Sequence, residues 1–85
     1  MKYRKKPIVI EAIQYLGPSS YDEMIEEWGQ AFANKSCLMP GYLNIRTLEG
    51  AHIAKISDYI IKGIEGEFYN CKESIFLATY EKVDE

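Results

Sequence analysis

The sequence predicts an α+β fold in which a small antiparallel β-sheet of about five strands, ordered as a meander, packs against one amphipathic helix. Three observations lead there. A β-branched segment follows the N-terminal charges, a stretch with helical spacing comes next, and the second half is a series of short apolar runs separated by turn residues. With 85 residues, a hydrophobic share of 47%, six glycines and three prolines, the composition is that of one globular domain over residues 1–85.

The first element is a strand from Lys6 to Leu16. Ile8, Ile10 and Ala12 alternate with Val9, Glu11, Ile13 and Tyr15, and the apolar character of both faces predicts a central position in the sheet. Gly17-Pro18-Ser19-Ser20 breaks the strand. Ser20 followed by Glu23 matches a capping box, so a helix is expected from Tyr21. Tyr21, Met24 or Ile25, Trp28 and Phe32 recur at three- and four-residue steps, while Asp22, Glu23, Glu26 and Glu27 fall mostly on the other side. Gly29 is a possible early stop, but Phe32 continues the stripe and places the end near Phe32 to Asn34. Lys35 to Gly41 reads as a loop closed by Met39-Pro40-Gly41.

The meander follows as Tyr42 to Leu48, Ala51 to Ile56, Tyr59 to Lys62 and Glu67 to Cys71, with turns at Glu49-Gly50, Ser57-Asp58 and Gly63 to Gly66. Lys72 to Ala78 fits either a helical turn or the approach to a last strand, Thr79 to Val83. Asp84 and Glu85 read as a frayed tail.

Charge and cysteine usage narrow the function classes. Net charge is −3, yet Lys2, Arg4, Lys5 and Lys6 hold four of the ten basic residues, leaving six against thirteen acidic ones elsewhere. Such an acidic body repels phosphate backbones, so nucleic acid is not an expected partner. Cys37 and Cys71, outside any C-x-x-C spacing and with a single histidine, give neither a zinc framework nor a secreted cystine pattern and are expected to be reduced thiols. The basic start lacks the apolar core and cleavage site of a signal peptide, and no run reaches the length of a membrane span. A domain this small has a modest core, and without disulfides or a metal the expected supplement is homo-oligomerisation.

Reactive constellations are sparse. No phosphate-binding loop, dinucleotide fingerprint, zinc-protease or esterase motif occurs. His52 permits one nucleophilic arrangement, with Cys71, but the alternation of Ala51 to Ile56 sets it opposite Ile53 on the expected solvent side. Asp58, Glu65 and Glu67 lie near turns, where solvated carboxylates are usual. The expectation is therefore a protein that is not an enzyme and needs no cofactor. Seven tyrosines stand out: Tyr3, Tyr15, Tyr21, Tyr42, Tyr59, Tyr69 and Tyr80. They suit either half-buried strands or an interface for planar ligands and partners. In the hairpin around Gly63, Lys62, Glu67 and Tyr69 are expected on one side, with Ile61, Phe68 and Cys71 as core candidates.

KYRKKPIVIEAIQYLG at the start and ISDYIIKGIEGEFYNCKESIFLATYEKV near the end resemble a family of small uncharacterised proteins of bacteriophages and prophages of Gram-positive bacteria. That family's pattern has a KKP-VVIEA-Q-aromatic strand and a PGDY-I-KG-x-x-GEFYPCKP-IF-TYE segment. The two blocks span roughly half the chain. Here Ile56-Ser57 stands where Pro-Gly is common, and Asn70 where Pro is common. The resemblance implies a phage-encoded accessory protein working in the host cytoplasm, with counter-defence as the expected role.

Three mechanisms follow. The leading one is stoichiometric inhibition of a host antiviral protein or complex, through the acidic helix face or the tyrosine-rich sheet. The second is an oligomeric sponge that captures a nucleotide-derived immune signal between subunits, stacking it on tyrosines and pairing its phosphates with Arg4, Lys5, Lys6, Arg46 or Lys62. The third is a small enzyme using Cys71 and His52. The expected binding residues are Tyr59, Lys62, Glu67, Tyr69, Arg4, Lys6 and Arg46.

Overall fold

The computed structural model of the protein describes residues 1–4 and 6–83. Lys5, Asp84 and Glu85, which the sequence places in the basic edge and the tail, lie outside them. The fold is α+β, with six strands and two helices in the order β1 (Glu11–Gln14), α1 (Pro18–Ala33), β2 (Ser36–Met39), β3 (Tyr42–Thr47), β4 (Gly50–Ala54), β5 (Tyr59–Lys62), β6 (Phe68–Cys71) and α2 (Glu73–Thr79). Instead of one five-stranded meander there are two antiparallel three-stranded sheets, ordered β1-β5-β6 and β2-β3-β4.

The central strand of the first sheet is β5, not the N-terminal segment. Ile60 and Ile61 are consecutive and both buried, which requires cover on both faces. In the observed register Glu11, Ile13, Ile60, Lys62, Phe68 and Asn70 share one face. That face meets α1, where Trp28, Phe32 and Phe68 form a cluster of tilted and edge-on rings 4.9–5.3 Å apart. The opposite face carries Tyr59, Ile61 and Tyr69 and is capped by α2, whose Phe76 stacks on Tyr59 at 3.9 Å and 6°. Of the expected first strand only Glu11–Gln14 pairs, because opposite residues 6–10 the chain of β5 has already entered the Gly63–Gly66 turn.

Helix α1 begins three residues earlier than the capping box implies. Pro18 takes the first turn, where its missing N–H costs nothing. Ser20 is buried inside the helix rather than at its cap. Its hydroxyl donates to the Gly17 carbonyl and accepts from the Leu16 N–H, both at 2.7 Å, and so fixes the strand-to-helix corner. Met24, Trp28 and Phe32, at four-residue steps, form the buried stripe as predicted. Gly29 does not end the helix but kinks it, with φ 66° and ψ −151°, a conformation open to glycine and strained for other residues.

The second sheet contains a strand where a loop was expected. Residues Ser36–Met39 lack β-branched side chains, yet they pair with β3 across the turn Met39-Pro40-Gly41-Tyr42. Proline followed by a glycine at φ 83° is the type II signature that closes this hairpin. On the inner face Leu43, Ile45 and Ala54 are buried against α1 and β6. Because Ile45 pairs with His52, the histidine shares that inner face, and Ile53 is the exposed neighbour. The expected solvent-side histidine is thus reversed. Of the two readings of Lys72 to Ala78, the helical one is observed, and residues 80–83 form no strand. Among the described residues, no helix is long and apolar enough to cross a membrane.

Candidate functional site

A cleft of about 390 Å³ opens where the β3–β4 hairpin passes the start of β6. Its base is Phe68, which is anchored in the aromatic cluster and cannot move away without disrupting the core. Beside it stands Tyr69, and the hairpin supplies Arg46, Leu48 and His52. Lys35 completes the rim because its carbonyl accepts the Arg46 N–H at 2.7 Å, which fixes the two cationic residues as backbone neighbours. Thr47 holds the hairpin tip: its hydroxyl donates to the Gly50 carbonyl at 2.8 Å and accepts the Glu49 N–H at 3.1 Å.

Apolar surface dominates the lining, and its polar groups are arranged around it. Arg46 and Lys35 are the cationic residues of the lining, and Glu49 and Glu67 the acidic ones. Glu67 is partly occupied elsewhere, since its carboxylate accepts the Glu65 N–H at 3.1 Å and folds over Gly63 in the β5–β6 turn. Burial pushes the Tyr69 phenol up, with the neighbouring Tyr80, Glu67 and Cys71 acting in the same direction. Tyr69 therefore presents a neutral aromatic face and an uncharged hydroxyl.

The expected binding residues divide into two groups. Arg46, Glu67 and Tyr69 come together in the cleft. Lys62 does not line the cleft; it lies on the opposite face of the sheet from Tyr69, 3.8 Å from Glu11 in a largely solvated ion pair. Tyr59 is stacked under Phe76 and serves to dock α2. Arg4 and Lys6 lie exposed in the segment before β1, away from the cleft. Lys35, Leu48 and His52 were not expected there. A signal for two of them was present, because Arg46, Leu48 and His52 flank one tight turn, but Lys35 arrives only through the unforeseen β2–β3 pairing.

His52 and Cys71 do not share this site. Cys71 ends β6 opposite Tyr59 and is absent from the cleft lining. Its thiol is pushed up by burial and by Asp58, the reverse of what an activated thiolate requires. Asp58 in turn accepts the Lys55 N–H at 3.0 Å and an Asn70 side-chain N–H at 3.4 Å, so it belongs to a turn rather than to an acid–base pair. Among the described residues, no group of three or more His, Cys, Asp or Glu side chains is placed to hold a metal ion. Compared with family models, curated proteins and solved structures, the chain has no match in any of the three.

Proposed function

We propose that the protein acts by stoichiometric binding, and that the cleft beside Phe68 and Tyr69 takes a small planar anion of the nucleotide class. The observation that carries this reading is that Phe68, Tyr69, His52, Arg46 and Lys35 line one concavity of ligand size. A heterocycle stacks on an aromatic face, and phosphate is paired bidentately by a guanidinium. In a bacteriophage such a protein acts in the host cytoplasm as a sponge, withdrawing a nucleotide-derived immune signal from the defence system that it activates. No reactive group needs activation for that role, and Cys71, held protonated and outside the cleft, is poorly suited to turnover.

A second reading, direct inhibition of a host antiviral protein, is favoured by a separate feature. Asp22, Glu23, Glu26 and Glu27 are all exposed on α1 and form an acidic surface away from the cleft. The two readings separate in one experiment, in which protein purified from infected cells is denatured and both released small molecules and co-purifying polypeptides are identified by mass. A nucleotide in about one-to-one ratio, lost in Arg46→Glu, supports the sponge. A host polypeptide retained by Arg46→Glu and lost in Glu23→Lys/Glu27→Lys supports the inhibitor.

A further inference from the structure

Among the described residues, the free edge of β1 carries an unpaired row of backbone groups beside a groove. On its paired side, the Tyr15 N–H donates to the Asp58 carbonyl and the Tyr15 carbonyl accepts the Ser57 N–H, both at 2.8 Å. In an antiparallel ladder these orientations alternate, so Tyr15, Ile13 and Glu11 turn both groups toward β5, whereas Gln14 and Ala12 turn theirs outward. The next outward N–H, that of Leu16, is taken by Ser20. Ala12 and Gln14 thus stand at the groove of about 390 Å³ that Leu16, Ser19 and Glu23 also line.

Directly before this edge lies its chemical complement. Residues 6–10 overrun β5, and Ile8 and Val9 are exposed, Val9 to 75%. Their β-branched side chains favour a strand for which this chain supplies no neighbour.

We infer that the segment of residues 6–10 pairs antiparallel with the free β1 edge of a second copy of this chain, forming a two-fold dimer through strand addition. The outward-facing residues are the even-numbered ones, so even residues pair with even ones, and the register that brings the apolar side chains together is centred on Ile10. Ile10 lies opposite Ile10 of the second copy, Ile8 opposite Ala12, and Lys6 opposite Gln14. Pro7 then falls at an odd position, where its missing N–H leaves no gap in the new ladder. The alternative register centred on Glu11 would set two carboxylates against each other and is disfavoured. Charge supports the same direction of pairing: at Gln14 and beyond it the segment brings Lys6 and Arg4 to the groove that Glu23 lines, on the acidic side of α1. The two-fold operation forms this contact twice.

Sedimentation equilibrium of the full chain at micromolar concentration and above tests the dimer, with hydrogen exchange as a local readout. The expected result is twice the chain mass and slow exchange at the Ala12 and Gln14 amides. Ile8→Asp, which changes a side chain outside every strand and helix, should raise the dimer Kd by about tenfold or more, expose both amides, and leave the far-ultraviolet spectrum unchanged. Glu23→Lys should weaken the dimer, and Lys6→Glu added to it should restore part of the loss. A single-chain mass for the unaltered protein overturns the inference, as does a dimer indifferent to Ile8→Asp. A groove occupied by a different polypeptide while the chain itself stays monomeric also overturns it.

Discussion

Ser57 has a positive φ of 80°, alone among the non-glycine residues described. The turn containing it runs from Lys55 to Asp58 and is closed by the Asp58 N–H donating to the Lys55 carbonyl at 3.0 Å. With Ile56 at ordinary φ, this is a type II turn, whose third position favours glycine and whose second favours proline. Holding an L-residue in left-handed space costs roughly 1–2 kcal/mol, and glycine returns about 0.5–1 kcal/mol of that through its freer unfolded chain. Ser57→Gly should therefore stabilise the protein by about 0.5–1 kcal/mol, which for a domain of this size is a rise in Tm of roughly 2–8 °C. Ile56 is half exposed, so Ile56→Pro loses little packing and adds about 0.4–1 kcal/mol. Thermal unfolding followed by circular dichroism is sufficient as an assay, with Ser57→Ala as the control that keeps the Cβ. Ala should be neutral or destabilising. If Ala raises Tm as much as Gly does, or Gly does not raise it at all, the account of this turn is wrong.

Five further outcomes are expected. Phe32→Ala, which empties the centre of the aromatic cluster, should cost about 3–5 kcal/mol in urea unfolding. Gly29→Ala should destabilise by roughly 1–3 kcal/mol despite the open space around it, because the kink angle and not a clash sets the cost; a neutral result would show that α1 can straighten. Tyr59→Ala should loosen α2 and be read as lost stability of about 0.5–1.5 kcal/mol beyond its burial, whereas Arg46→Glu should leave Tm nearly unchanged. Because the Tyr69 phenol is raised in the folded state, the fold holds its proton more tightly than the unfolded chain does. Its contribution to stability is complete below the ordinary tyrosine value of 10.0 and is lost as pH rises through the higher folded value, so Tyr69→Phe should flatten the alkaline decline in stability.

The helix was legible because Met24, Trp28 and Phe32 repeat at one spacing and need only local geometry to declare a face. Sheet partnership was not. The segment at Ile8 and Val9 is the most β-branched in the chain, and by propensity it reads as a central strand. Centrality is decided instead by which chains flank β5, a pairing of residues about fifty positions apart. Alternation likewise showed that His52 and Ile53 face opposite ways, but the packing of Leu43, Ile45 and Ala54 determined which face is inside. Strand β2 left no sign in Ser36-Cys37-Leu38-Met39 itself, and only its Pro-Gly turn marked the hairpin. Of the site, Arg46, Glu67 and Tyr69 were recognisable as aromatic and charged groups near turns. Lys35 joined them through tertiary placement alone.

Isothermal titration of the purified chain with a mononucleotide such as AMP, beside its Arg46→Glu variant, addresses the proposed ligand cleft most directly. Saturable heat at about one ligand per chain, abolished by Arg46→Glu and strongly reduced by Tyr69→Ala in folded protein, is the predicted result. Binding of equal strength in all three proteins would place the ligand elsewhere, and steady loss of the nucleotide to product would make the protein a catalyst rather than a sponge.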